Sequence, residues 1–256
     1  SFLGSDVEFL SVSGTWYAVI LYSLYVYFDF SGYSDMAIGL GYILGFHFNE
    51  NFNYPFICKD VTEFWQRWHI SLSTFFRDYL LYIPLFGKRR QTLNLFIVWF
   101  CTGIWHGASW NFIFWGLYFG IFIFIERLIG KKRIKKIPLA IRHIYNKIVI
   151  IIGFGIFYFD NLSQLGDFFK NLIGLNNNSL IDETVRISFI NNIFLILIAI
   201  IACFPIKKLF ELHEYSNPAK LYFVNTTKIL YTLALLVICS ILLVDSTNNP
   251  FLYFRF

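Results

Sequence analysis

The segment RQTLNLFIVWFCTGIWHGASWNFIFWGLYFGIFIFIE, Arg90 to Glu126, decides how this chain meets its solvent. It holds about 35 mostly apolar residues, enough for over 50 Å of helix at 1.5 Å per residue, more than the roughly 30 Å of a bilayer's hydrocarbon core. Basic residues flank it on both sides, Lys88-Arg89-Arg90 before it and Arg127, Lys131-Lys132-Arg133 and Lys135-Lys136 after it. Short basic loops stay in the cytoplasm, so both flanks face the same way and the segment must enter the membrane and return. The return falls most naturally in TGIWHGASW, Thr102 to Trp110, where Gly103 and Gly107 weaken the helix and Ser109 and Asn111 offer side chains to freed backbone groups. His106, the only strongly ionisable side chain between the flanks, is thereby placed deep in the membrane.

The rest of the chain fits the same solvent. Of its 256 residues 57% are hydrophobic, 21% aromatic and 14% charged, against about 25% charged in soluble domains. The deficit points to a lipid bilayer and to no nucleic-acid partner. Further apolar runs, Thr15 to Phe28, Lys147 to Phe159, Ile190 to Phe204 and Leu230 to Val244, predict more membrane helices, the last three at about 147–160, 188–206 and 229–245. A third basic cluster, Lys207-Lys208 with Lys220 and Lys228, is expected inside. The stretch Asp160 to Arg186, with Asp160, Asp167, Asp182 and Glu183, is expected outside, together with the terminal NNPFLYFRF. The fold class read from this is all-α, a polytopic integral membrane protein. The opening SFLGSDVEFL has no Met, basic n-region or cleavage site, so no signal peptide is expected and an N-terminal part is expected to precede it. Cys58, Cys101, Cys203 and Cys239 lie far apart without a CxxC, which predicts small buried hydrophobes and neither a disulfide framework nor a zinc site.

A second stretch, TEFWQRWHISLSTFFRDYL from Thr62 to Leu80, sets polar groups among bulky apolar ones. Asp60 and Glu63 have capping-box spacing, predicting a helix from near Val61. Along it Thr62, Gln66, His69, Ser73 and Arg77 recur every three or four residues as one polar stripe. Phe64, Trp68, Leu72, Phe75 and Tyr79 take the opposite face, and Arg67, Ser71, Thr74 and Asp78 form a shoulder. A helix lying on the membrane surface is also amphipathic, but its polar face is rich in Lys and Arg. This stripe is mixed, with one charge at its C-terminal end, which suits a lined tunnel.

Two histidines on neighbouring elements, His69 and His106, are thus the chemical candidates. An ionisable side chain inside a membrane marks a functional site by default, although a core histidine bonded to a carbonyl accounts equally well for His106 taken alone. There is no HExxH or other ligand spacing, His47, His143 and His213 lie in unrelated contexts, and GxSxG is absent. General-base chemistry by histidine remains. Asp29 and Asp35 flank Gly32 and read as turn and helix-cap residues. The tryptophans read as packing or interface anchors, Trp105 being the best candidate for a tunnel wall.

FDFSGYSDMAIG at 28–39, FNYPF at 52–56, FWQRWHISLSTFFRDYL at 64–80 and WHGASWNFIFWGLYFG at 105–120 resemble, in order, the membrane-bound O-acyltransferase family in its bacterial alginate O-acetyltransferase branch. The resemblance covers most of residues 16 to 127, a motif-bearing core followed by C-terminal membrane helices over 128–256, and the final NPFLYFRF matches that branch's C-terminus. It implies a single domain with a central tunnel joining both membrane faces, its N-terminal helices lying outside this sequence. It implies that His106 of the WHG motif is catalytic, with His69 of RWHISLS near it, and that Gln66, Ser73, Arg77, Asp78, Trp105 and Asn111 line the substrate path. No bound cofactor is implied. Acetyl-CoA or another acyl thioester serves as cytoplasmic donor, a secreted or membrane-anchored acetyltransferase as partner, and a cell-surface polysaccharide as acceptor, all at the bacterial cytoplasmic membrane. A relative in teichoic acid D-alanylation takes its acyl group from a carrier protein instead. In FYFDNLSQL, 157–165, Asp160 stands where the branch often has Arg, which bears on partner or acceptor.

Two other classes compete. A transporter or channel would also place polar groups at midplane, but it predicts internal repeats, and the RWHISLS and WHG stretches have no second copy. A noncatalytic scaffold of a polysaccharide-export machine would keep the helices without needing His106.

Overall fold

Every regular element among the described residues is a helix or helical turn, as the apolar runs require of a chain in lipid. The computed structural model describes residues 7–84, 87–88, 90–206 and 218–244. A 3-10 turn, Val7–Phe9, leads into α1 (Val12–Ile43), and a second, Pro55–Ile57, into α2 (Val61–Trp65) and α3 (Ile70–Phe76), which ends in a π turn, Arg77–Leu81. Then come α4 (Gln91–His106), α5 (Trp110–Ile129), α6 (Lys131–Ile134), α7 (Leu139–Tyr158), α8 (Leu162–Leu172), α9 (Glu183–Ala202) and α10 (Pro218–Val244). The chain divides at Phe204 into two units, and the described part of the second is α10 with the residues just after Phe204. Four helices are long and apolar enough to cross a membrane: α5, α7, α9 and the Leu221–Ile241 part of α10. This is an all-α membrane protein.

α4 and α5 form the hairpin that the flanking charges demand. The helix stops at His106, Gly107 leaves helical geometry, and Ser109 begins α5. At the open end the Arg127 guanidinium donates to the Gln91 side-chain oxygen, so the two ends of the segment lie together. Between tip and base the helices touch backbone to backbone. A Cβ on Gly116 would sit 2.2 Å from the Trp99 carbonyl oxygen, and one on Gly103 2.4 Å from that of Phe112. In lipid, where apolar burial supplies no net drive, such small-residue contacts let helices gain dispersion along their length. Gly103 therefore does not weaken the helix as its sequence context suggests; it lies inside α4 at the point of closest approach.

Other expectations shift as well. Asp29 and Asp35 are neither turn nor cap residues: α1 runs unbroken through both, and the chain turns only at Gly45, whose positive φ of 82° ends the helix. α7, α9 and α10 begin earlier than their apolar runs, at Leu139, Glu183 and Pro218, and the early turns of the first two carry Arg142, paired with Asp60, and Arg186, paired with Glu183. Lys228, expected in a loop, lies within α10, while Arg89, Lys207-Lys208, His213 and the C-terminal NNPFLYFRF fall outside the described residues. Cys58 and Cys203 are buried, but Cys101 is only partly so and Cys239 is exposed. The Asp160–Arg186 stretch is not a plain loop, since Asn161 caps α8 through the Ser163 N–H. Ser11 caps α1 and also donates to Asp182, the cap of α9, at 2.7 Å, which joins the starts of these two helices.

An aromatic core holds α2 against the hairpin and α7. Phe64, Trp65, Trp68, Trp99, Trp115, Phe119 and Phe154 are all buried. The Trp65 ring lies 4.8 Å from Trp99 and 4.9 Å from Phe119, edge to face, an arrangement worth about 0.5–1.5 kcal/mol per pair beyond area burial. The polar seam beside it is Glu126. Its carboxylate, buried, accepts the Val61 N–H at 2.7 Å, the Thr62 N–H at 2.8 Å and the Thr62 hydroxyl at 2.6 Å. The first amides of α2, which no helix can satisfy internally, are thus bound by a residue of α5.

Two substitutions test this packing in the intact protein. Gly116→Leu is expected to open the hairpin and remove most folded protein from the membrane fraction, whereas an exposed control such as Leu128→Ala leaves abundance unchanged. Glu126→Ala is expected to cost about 1–3 kcal/mol by stranding buried amides and Glu126→Gln less, read as the shift in thermal unfolding midpoint in detergent.

Candidate active site

The polar stripe predicted on one continuous helix is broken where it matters most. α2 lasts one turn beyond its cap, and His69 adopts the left-handed region at φ 45° and ψ 55° before α3 begins. A non-glycine residue there costs of order 1–3 kcal/mol unless its surroundings enforce it. The segment before Tyr54 does so: the Asn53 N–H donates to the Arg67 carbonyl at 2.9 Å and the Ile70 N–H to the Asn51 carbonyl at 2.9 Å, clamping both sides of the kink. Asp60 caps α2 as the spacing predicts, accepting the Glu63 N–H at 2.8 Å, but the return arm of the capping box reaches the Lys59 N–H instead of Asp60.

The kink splits the stripe in two. Thr62, Gln66, Ser73 and Arg77 line one cavity of about 280 Å³, walled on the other side by Trp99 and Thr102 of α4. His69 turns away from it. Its ring, only 8% exposed, packs edge-on against Phe30 of α1 at 4.7 Å and against Trp105 of α4 at 5.9 Å. Asp78 does not line the cavity; it accepts from Arg77 at 2.9 Å on the exposed side of the π turn.

His106 is the last residue of α4, at the tip of the hairpin. Trp105 meets its ring at 5.0 Å, Trp115 at 4.9 Å and Phe157 at 5.1 Å, all near perpendicular, with Phe112 at 6.2 Å. Among the described residues no hydrogen bond reaches either ring nitrogen. Trp105 therefore stands against both imidazoles, one face of the site being His69 and the other His106, and it is itself half exposed at 50%. A Cβ on Gly107 would fall 2.6 Å from the Phe112 ring, so glycine after the histidine lets that wall close. Asn111 is fully buried; it does not serve the freed amides of the tip but donates to the Phe157 carbonyl of α7 at 3.1 Å, fixing the wall behind His106. Ser109 makes no side-chain cap bond.

Three polar residues that the sequence pattern left unmarked organise this region. Asn51 binds the kink and His69, Glu126 binds the start of α2, and the Asn94 amide donates to the carbonyls of Leu80, Leu81 and Ile83 at 3.3, 3.0 and 2.7 Å where the π turn unwinds. A lone polar residue at the edge or inside of an apolar run is the signal for Glu126 and Asn94, whereas Asn51 sits among Asn49, Glu50 and Asn53 with nothing to single it out. Among the described residues no cluster of His, Cys, Asp and Glu has the makeup of a metal site. What the arrangement brings together is a pair of imidazoles in an aromatic surround.

Comparison with known proteins agrees with this architecture. The family model of membrane-bound O-acyltransferases matches residues 5–165, which contain both histidines. The probable alginate O-acetylase AlgI of Pseudomonas aeruginosa is 46% identical over 151 residues, 57% of this chain and 29% of that protein. The peptidoglycan O-acetyltransferase of Helicobacter pylori is 34% identical over 265 residues, covering 96% of this chain and 50% of its own length. The teichoic acid D-alanyltransferase of Bacillus subtilis is 36% identical over 129 residues, 46% of this chain and 33% of that protein. The chain thus spans half or less of the length of these relatives. With the match extending over more than half of its residues, and over the whole stretch that builds the two-histidine enclosure, the chain belongs to the membrane-bound O-acyltransferase family.

Proposed function

We propose that the protein of which this chain forms part transfers an acyl group, acetyl in our reading, from a cytoplasmic thioester such as acetyl-CoA to hydroxyls of a cell-surface polysaccharide. It works in the bacterial cytoplasmic membrane, with a secreted or membrane-anchored acetyltransferase as partner at the outer face. The observation that carries the reading is His106 at the tip of the α4–α5 hairpin, without a hydrogen bond among the described residues and faced by His69 across Trp105. α4 has 16 residues, so about 24 Å of helix separates His106 from the basic base of the hairpin. That depth suits a group meeting a donor from one side and an acceptor from the other.

In this reading the hydroxyl oxygen attacks the thioester carbonyl while a ring nitrogen of His106 takes its proton. The carbon–sulfur bond then breaks and the proton passes to the leaving thiolate, so the imidazole ends neutral as it began. The aromatic enclosure keeps bulk water from competing as acceptor. Gln66, Ser73 and Arg77, on the cavity beside α4, are assigned to the donor's polar arm, with Trp105 as the wall between that arm and the histidines. Asn111 holds the Phe157 wall behind His106, and Asp78 holds Arg77. The similarity to a D-alanyltransferase favours one second reading, in which the acyl group is D-alanyl delivered by a carrier protein.

Two experiments bear on this. Cysteines placed at positions 88 and 131 are expected to react only from the cytoplasmic side of intact cells and one at position 177 only from outside; labelling of 88 and 131 from opposite faces contradicts the hairpin placement. In the intact protein His106→Ala and His106→Gln are both expected to lower polymer acylation by about 10²–10⁴-fold at unchanged membrane abundance. Near-normal acylation by the Gln variant would make His106 a brace, and mass spectrometry of the ester separates acetyl from D-alanyl.

A further inference from the structure

The side chain of Asn51 touches His69 in a way that fixes where the imidazole carries its proton. The Asn51 amide oxygen accepts the Ser71 backbone N–H at 3.1 Å and lies 2.9 Å from the Ser71 hydroxyl. A backbone N–H only donates, so the amide atom at this position is the oxygen and not the NH2. That same oxygen lies 3.2 Å from His69 Nδ1. A bare Nδ1 would set two lone pairs against each other there, with only the Ser71 hydroxyl, 3.4 Å away, as an alternative donor. The arrangement closes when Nδ1 carries the hydrogen and donates to Asn51. His69 Nε2 is then a bare acceptor, and it is buried with no hydrogen-bond partner among the described residues. A buried acceptor without a donor is costly unless something arrives to fill it.

We infer that Asn51 is a positioning residue that holds His69 in the Nδ1–H form, so that Nε2 accepts a hydrogen bond from a substrate hydroxyl next to the reacting one, whose own single hydrogen goes to His106. In water a free histidine side chain favours the opposite, Nε2–H, form. This assignment of the hydroxyl rests on the function proposed above. It also excludes one role for His69: a neutral ring with a bare Nε2 has no proton with which to polarise the donor's carbonyl oxygen. The kink contributes directly, since the left-handed backbone at His69 and the bond from the Ile70 N–H to the Asn51 carbonyl bring the ring against the amide of a different loop. The ring's neighbours are Phe30, Trp105, Asn51 and Ser71, none of them charged, and the next imidazole, His106, stands across Trp105.

The test is nitrogen-15 NMR of the intact protein in bilayers, labelled at histidine and assigned by loss of one signal in His69→Gln. The wild type is expected to show His69 as Nδ1–H. Asn51→Leu, of similar size, is expected to shift it to Nε2–H and to lower acylation about tenfold to a hundredfold, the range that misplacement of a reacting group produces. Asn51→Asp keeps the acceptor oxygen, so at alkaline pH it is expected to retain both the Nδ1–H form and acylation. Its added charge favours the doubly protonated ring, so the acid limb of its activity profile moves to higher pH, which a merely structural role would not produce. A wild-type His69 in the Nε2–H form overturns the inference, as does a change of form in Asn51→Leu that leaves acylation untouched. Because the tautomer is read without turnover, failure of the acyl-transfer reading, seen as no polymer acylation by the wild type, is distinguishable from failure here.

Discussion

The close approach of α4 and α5 at Gly103 and Gly116 is the contact on which the remainder is hung. With no room for a Cβ at either position, the two helices meet backbone against backbone at these two points. That approach sets Trp99 and Trp115 on the same side of the hairpin, where α2 inserts Trp65 between them. It also determines where the helix must stop. One residue after His106 the chain has to reverse, and Gly107 permits the reversal with the Phe112 ring pressed against it. A larger residue at either helix contact would separate the aromatic layer and the histidine together.

Polar groups in this setting have little water to fall back on, and several near the site are committed to the backbone of a neighbouring element. Glu126 closes the start of α2, Asn94 the end of the π turn and Asn111 the last carbonyls of α7. Arg142 of α7 meets the Asp60 cap at 3.0 Å. Such buried pairs add little net stability but cost a great deal when one partner is lost. Their effect is to fix the register of short, irregular pieces that propensity alone would not hold. Among the described residues the Nε2 of His69 is buried without a hydrogen bond, as are the indole N–H groups of Trp65 and Trp115.

Much of this was legible in the sequence. Length and flanking charge forced the Arg90–Glu126 segment to turn back, because a hydrophobic stretch that long has only a few ways to sit in a bilayer. The turn fell at the WHG stretch because polar and glycine residues cluster there. The helix from Val61 was misread past its first turn. Its stripe has helical period throughout, and nothing in the pattern marks His69 as left-handed; the backbone bonds that enforce it come from Asn51 and Asn53, which are distant in sequence. Glu126 read as the edge of an apolar run, whereas it reaches across to α2. Asp29 and Asp35 read as punctuation beside a glycine, although one glycine does not stop a long helix. Periodicity reports which face a residue takes, and it is silent on partners supplied by another element.

The central claim is that the acyl group and the hydroxyl meet beside His106, at the tip of the hairpin. A structure of the intact protein by electron cryomicroscopy, bound to a thioether analogue of acetyl-CoA that cannot transfer its acyl group, tests it most directly. A base in hydrogen-bond reach of the hydroxyl, about 3 Å, and a hydroxyl about 3–3.5 Å from the carbonyl together place the analogue's acyl carbon within two such steps of the His106 ring, against Trp105. An acyl group resting elsewhere, with Trp105 closed over an empty enclosure, would contradict the account.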